Sequence, residues 1–223
     1  MKILPHPEPC NLKPNMQPIS NASFITLAEI MERFLNLSVK FRLALRAVLF
    51  ETTYKKGARI LNAGSTQQSL WFLLHGLARE IRVHPDTFIE NTAWFWLDHS
   101  FLYTTPGLFS REPSENTIEL SEECKVILMS YDDLAKLKET HCETELIIER
   151  IRGAYDSIRQ LAADDIRNLT TDERYLKHQK VLDNLFGRTQ LRYIAGYMGM
   201  SPDTLGKLRK KYSKSGHPKK DPD

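Results

Sequence analysis

The stretch LRYIAGYMGMSPDTLGKLRK, Leu191 to Lys210, decides how the rest of the chain is read. Two helices joined by a tight turn near a right angle need three things: a small residue where the helices meet, a turn residue tolerant of a left-handed backbone, and apolar flanks. Ala195 is the small residue and Gly199, four positions on, is the turn. Ile194, Met198, Met200, Leu205 and Leu208 supply the apolar positions. Ser201-Pro202-Asp203 offers an N-cap, a proline at the first helical position and an acid in the first turn. Ala195, Gly199 and Leu205 are therefore the structural positions of a helix-turn-helix pattern.

The second helix runs into Lys207, Arg209, Lys210, Lys211 and Lys214, which a purely structural hairpin would not need. The net charge of +3 conceals this asymmetry. From Glu173 to Asp223 there are 12 Lys or Arg against 5 Asp or Glu, whereas the preceding 172 residues carry 19 against 23. A basic tail on a slightly acidic body suits a phosphate-binding module, because neutralising phosphates releases counterions. A helix whose N-terminal residues enter the major groove puts base contacts on Asp203, Thr204 and Lys207. Arg192, Ser201, Arg209, Lys210 and Lys211 then fall to backbone phosphates. An ordinary i, i+4 ion pair is the plainer reading of Asp203 and Lys207.

Upstream, Glu173 to Leu185 reads as another helix, capped by Thr171 or Asp172 and closed by Phe186-Gly187, with 167–171 as a hinge. Before the hinge, Ile147, Ile151, Ala154, Ile158 and Leu161 recur at spacings of 4, 3, 4 and 3 and form one narrow stripe. The stripe seals a two-helix seam, expected as a dimer interface, with packing on the same chain's β region as the alternative. Between Phe50 and Ser130 the texture is short β-branched and aromatic runs cut by Gly57, Gly64, Gly76, Pro85 and Pro106-Gly107. That predicts a small antiparallel β domain with strands at 58–61, 70–74, 77–84, 88–96, 117–120 and 125–130. Helical spacing from Phe24 to Val48 predicts one or two lead-in helices.

The proline-rich first residues lack a secretory h-region and read as a disordered extension over 1–23. No apolar run approaches the roughly 20 residues of a membrane span, so a cytoplasmic protein without membrane partners is expected. Cys10, Cys124 and Cys142 are too far apart in sequence to suggest a zinc or iron–sulfur site. A cupin-like metalloenzyme would need a His-x-His pair, and His75, His84 and His99 are isolated. The chain is therefore expected to be neither an enzyme nor a metal binder. Its competing reading is a small-ligand sensor or interaction protein without specific DNA binding.

The order of these segments resembles the Crp/Fnr family of bacterial transcription regulators. Phe50-Glu51-Thr52-Thr53-Tyr54-Lys55-Lys56-Gly57, with Ile60 and Gly64, is similar to the start of that family's cyclic-nucleotide-binding-type β-roll, and Leu70-Trp71-Phe72-Leu73-Leu74-His75-Gly76 continues it. Glu173-Arg174-Tyr175 and the run from Ile194 to Arg209 are similar to the branch common in Bacteroidetes. The resemblance covers residues 24–212 and implies an α+β fold: an antiparallel, jelly-roll-like β-roll sensor with flanking helices (24–131), a long dimerisation helix (132–166) and an all-α helix-turn-helix domain with a basic tail (167–223). It implies a homodimer on an inverted-repeat operator in double-stranded DNA, contact with RNA polymerase, and an unknown small-molecule effector.

Family members that bind cyclic nucleotides carry a Gly-Glu pair for the ribose and an Arg followed by Ser or Thr for the phosphate. This chain has Ser114 at the Arg position and Glu115 beside it. Two like charges about 4 Å apart repel by several kcal/mol at an effective dielectric of about 20, so no cyclic AMP is expected as cofactor. Trp71 and Phe72, with Ser114 and Glu115, are the candidate lining of whatever effector pocket exists. Pro202 stands where relatives often carry a base-reading side chain, and no wing hairpin is expected after Ser213.

Overall fold

The computed structural model describes residues 15–213, so Cys10, the first part of the expected N-terminal extension, and the tail from Lys214 lie outside the described residues. The elements are β1 (Gln17–Pro18), α1 (Asn21–Glu32), α2 (Val39–Ala47), β2 (Phe50–Tyr54), β3 (Arg59–Leu61), β4 (Ser69–His75), β5 (Ala78–Val83), β6 (Glu90–Trp96), β7 (Ser100–Leu102), β8 (Thr117–Leu120) and β9 (Cys124–Ser130). They are followed by α3 (Tyr131–Thr140), α4 (Cys142–Asn168), α5 (Thr171–Lys177), α6 (Gln179–Leu185), α7 (Leu191–Tyr197) and α8 (Pro202–Ser213).

The strands form two antiparallel sheets, ordered β1-β2-β9-β4-β7 and β3-β8-β5-β6. Strands distant in sequence lie side by side, as in Phe72 opposite Ile127 on the β4–β9 ladder and Glu80 opposite Ile118 on β5–β8. Alternation explains the layering: on β4, Trp71 and Leu73 enter the core between the sheets while Phe72 joins the core beneath α1 and α2. Trp96, Leu73, Leu102, Ile118 and Leu120 are fully buried between the sheets, each contributing about 2 kcal/mol of apolar burial. All six expected strands are present. Phe50–Tyr54 is a further strand, Phe50, Thr52 and Tyr54 alternating with Glu51 and Thr53.

The expected disordered extension does not reach residue 23. Gln17 and Pro18 pair with Glu51 and Phe50 on the edge of the first sheet, and Ser20 caps α1 by accepting from the Ser23 N–H. The apolar anchor is Ile19, buried against the same core as Leu27 and Leu49.

The predicted single dimerisation helix is two. Ser130 caps α3, its hydroxyl accepting from the Asp133 N–H at 3.1 Å, and the helix ends at His141, whose extended backbone (φ −139°) turns the chain into α4. Thr170 caps α5 in a reciprocal capping box with Glu173. Among the described residues, no helix is long and apolar enough to cross a membrane.

Candidate nucleic-acid interface

The helical end is organised around a third core, in which Tyr175, Leu182, Leu185, Ile194, Ala195, Met198, Leu205 and Leu208 cluster with Leu77 and Phe95 of the β domain. Ala195 and Leu205 have no exposed surface. The turn between α7 and α8 has Gly199 at φ +60°, where a Cβ would meet Ile166 Cγ2 at 3.1 Å. The Met200 N–H donates to the Ala195 carbonyl at 3.0 Å and closes the turn. Arg174, 4% exposed, donates to the carbonyls of Ile166 at 3.0 Å and Gly199 at 3.2 Å. One guanidinium thus ties the end of α4 to the turn.

Helix α8 buries Leu205 and Leu208 and turns its other face outward. Ser201, Pro202, Asp203, Lys207, Arg209, Lys210 and Lys211 are exposed, with Gly206 half-buried between them. Asp203 and Lys207 form an i, i+4 pair at 2.7 Å, which raises the Lys207 pKa through the hydrogen bond to that carboxylate. Lys211 pairs with Asp172, which also accepts from Tyr212 at 2.7 Å; the Lys211 bond is the larger cause holding the Asp172 carboxyl below its usual range. Arg209 lies over the Phe186 ring at 4.3 Å, and Arg192 donates to the Tyr193 hydroxyl at 2.9 Å.

Thr204 stands in the first turn of this face. It is half-buried, its N–H donates to Ser201 Oγ at 3.0 Å, and the two hydroxyls are 2.8 Å apart, so both side chains are engaged in the helix cap. Gly206 occupies the place beside Asp203 and Lys207 on the open face, where its Cβ would meet only Leu191 at 3.9 Å. The readable signal for it is a glycine inside a helix, which costs about 1 kcal/mol relative to alanine.

The stripe on α4 divides. Ile147 and Ile151 are buried in the core shared with α1, α2 and the first sheet, Ala154 is half-buried, and Ile158 and Leu161 are exposed. For its first two positions the same-chain alternative is the one observed. The four residues expected to line an effector pocket do not come together either. Trp71 and Phe72 face opposite sides of β4, Ser114 is buried with its hydroxyl donating to the Asn116 carbonyl at 2.8 Å, and Glu115 is exposed in a 3.2 Å pair with Arg82.

Beside α4 the β-roll is filled with aromatic side chains. Trp96 and Tyr103 pack on Tyr155 with ring centroids at 5.6 and 5.9 Å, and Phe109 lies edge-on to Tyr103. Tyr155 OH accepts from the Phe101 N–H at 3.0 Å. Arg159 lies over both Trp94 and Trp96 and pairs with the buried Glu80 at 2.6 Å. Burial pushes the phenols of Tyr103 and Tyr155 up. The Trp96 indole N–H and the Tyr103 hydroxyl have no hydrogen-bond partner. Among the described residues, no group of three His, Cys, Asp or Glu is placed to hold a metal ion.

A β-roll of two antiparallel sheets, a long helix and a terminal pair of helices with one buried and one open face is the architecture of Crp/Fnr-type regulators, and this chain has that fold. Among solved structures it is similar to FixK2 from Bradyrhizobium japonicum, with TM-score 0.67 and 16% identity over 76% of this chain and 86% of that one. It is also similar to CLP from Xanthomonas campestris, described as a c-di-GMP-responsive global regulator, with TM-score 0.59 and 19% identity over 82% and 96% of the two chains. A protein from Eubacterium rectale assigned to the crp/fnr family of transcriptional regulators aligns with TM-score 0.63 and 14% identity over 81% and 85%. No family profile and no curated protein sequence matches the chain.

Proposed function

We propose that the protein is a sequence-specific DNA-binding transcription regulator of the Crp/Fnr type, acting as a homodimer on an inverted-repeat operator. The observation that carries this reading is the divided surface of α8: one face is locked into the helical core, and the other, with Asp203, Gly206, Lys207 and Lys210, is left uncovered at the end of a basic segment. In this reading Asp203 and Lys207 open their ion pair to meet base edges. Arg192, Ser201, Arg209, Lys210 and Lys211 meet phosphates. Thr204, its hydroxyl engaged in the cap, offers its methyl to a base edge.

Residues 24–131 are assigned to sensing, 132–166 to dimerisation and 167–223 to DNA binding. The uncovered Ile158 and Leu161, with Ala154 at the edge, form the dimer seam, and RNA polymerase is the second protein partner. The aromatic filling of the β-roll supports a regulator that does not respond to cyclic AMP, more strongly than the Glu115 charge, which turns outward to Arg82. Calorimetric titration with cyclic AMP is expected to give no heat of binding, and micromolar affinity would overturn that part.

Selection from a pool of random duplexes tests the whole reading. An enriched inverted repeat is expected, bound with an affinity that falls on the order of a thousandfold between low and moderate salt. Recovery of no enriched sequence overturns the regulator reading in favour of a sensor or interaction protein.

A further inference from the structure

The β domain and the helical domain meet along α7 and β6, where Tyr197 lies edge-on to both Trp94 and Phe95. Beside this seam is a cleft of about 320 Å³. One wall is Lys56 and Gly57 of the β2–β3 turn with Glu119 and Ser121 at the end of β8; the other is Gly187 and Arg188 of the α6–α7 turn with Tyr193 of α7. Gly57 and Gly187 have positive φ, and a Cβ on either would meet nothing within 4 Å, so the lips of the cleft are bare backbone.

Two unpartnered groups at this seam can donate, the Arg79 guanidinium and the Ser121 hydroxyl. Ser121 is 8% exposed and its hydroxyl has no hydrogen-bond partner. Arg79, 2% exposed, lies against the Tyr193 ring at 3.7 Å with its Nη1 unpartnered. Burying a polar group without a partner is unfavourable, and an acceptor is the partner type that suits both groups. The charges point the same way. Glu119 is held by Arg59 at 3.2 Å and by Arg79 at 2.8 Å, and Arg188 is held by Glu122 at 2.6 Å. Among the described residues, Lys56 is the lining charge without a counter-charge.

We propose that this seam is a binding site for a small organic anion, carrying a carboxylate or a phosphate, that bridges the β domain to the helical domain. Lys56 supplies the charge, Ser121 donates from the β side, and Arg188 and Tyr193 close the site from the helical side. The site is complete only while α7 is docked on β6. A ligand there therefore favours the docked arrangement, and if it changes duplex affinity by some factor, the duplex changes ligand affinity by the same factor. That coupling rests on the proposed DNA-binding function. The site itself does not.

The test is calorimetric titration of the full chain with citrate and, separately, with glycerol 3-phosphate, against glycerol at matched ionic strength. Saturable binding of at least one anion and none of glycerol is expected, with the responding anion telling carboxylate from phosphate. Lys56→Gln removes an exposed, unpaired charge without touching the core and should weaken binding about tenfold or more. Ser121→Ala should weaken it by several-fold while leaving the melting temperature level or higher, since it deletes an unpartnered hydroxyl. No saturable binding by either anion overturns the proposal. So does binding that survives both substitutions, and binding lost instead in Tyr155→Phe would assign the ligand to the β-roll interior. A chain that binds the anion yet selects no duplex would refute the regulator reading and leave the seam site standing.

Discussion

The two halves of α4 carry one apolar stripe and meet opposite fates. Ile147 and Ile151 are sealed under α1, α2 and the first sheet, whereas Ile158 and Leu161, at the same helical spacing, face outward. The transition falls at Tyr155 and Arg159, which the β-roll aromatics grip. Periodicity identifies which side of a helix is apolar; what covers that side depends on where the rest of the chain ends up. A buried position is settled by the same chain, and an uncovered one is open to a partner.

The largest effect should come from the covered half. Ile147→Ala deletes a buried side chain from a well-packed core and is expected to cost about 3 kcal/mol of folding stability in urea denaturation. A loss under about 1 kcal/mol would mean this half is not internal. At the transition point, Glu80→Ala removes the buried partner of Arg159. Arg159 is one-third exposed and can recover water, so the expected cost in the same assay is about 2 kcal/mol, below the roughly 3–5 kcal/mol typical of a fully buried pair.

The uncovered half should behave in the reverse way. The double variant Ile158→Glu with Leu161→Glu is expected to change monomer stability by no more than about 0.5 kcal/mol, because neither side chain is packed. The mass measured by light scattering should nevertheless fall to that of a single chain. An unchanged mass breaks the comparison, since the exposed stripe would then have no self-partner. The end of this half is not bare. Asp165 accepts from Lys177 Nζ at 2.7 Å and pairs with His178 at 2.9 Å, and the Lys177 bond foremost holds its carboxyl below the usual range. A depressed folded-state pKa gives stability that is fully present above the ordinary carboxylate value, about 4, and is lost as pH falls through the folded value. Asp165→Asn should therefore flatten the acid side of the stability–pH profile.

The same distinction explains what was legible in the sequence. The β-roll strands were, because glycine and proline turns bound them and their apolar runs are covered on both sides. Strand Phe50–Tyr54 lay in the segment that resembles the start of a β-roll but was not legible as a strand by its own pattern, since it follows α2 almost directly; Ser100–Leu102 was not because three residues carry no period. The Ala195–Gly199 turn, with Leu205 behind it, was legible since steric demands on single residues are local. The effector set was not: Trp71 and Phe72 are neighbours in sequence but lie on opposite faces of one strand, and Glu115 is drawn outward by Arg82 across the sheet. Nor was the docking of α7 on β6, which depends on Tyr193 and Tyr197 finding Arg79, Trp94 and Phe95 more than ninety positions away.

Helix α8 repeats the comparison on a smaller scale. Leu205 and Leu208 are covered, and Gly206 lies between them on the open side, in a backbone conformation that any residue can adopt. Nothing inside the protein requires a glycine there, since an added Cβ touches only Leu191 at ordinary contact distance. Gly206→Ala should therefore raise stability, by about 0.5–1 kcal/mol, through helix propensity alone. If the bare backbone lets α8 approach a duplex closely, the same substitution should weaken binding to the selected operator several-fold, with the non-specific salt slope unchanged because no phosphate contact is lost. Stabilisation and weakened binding in one variant would identify the uncovered face as the one that meets DNA, whereas stabilisation with full affinity would move the contact away from Gly206.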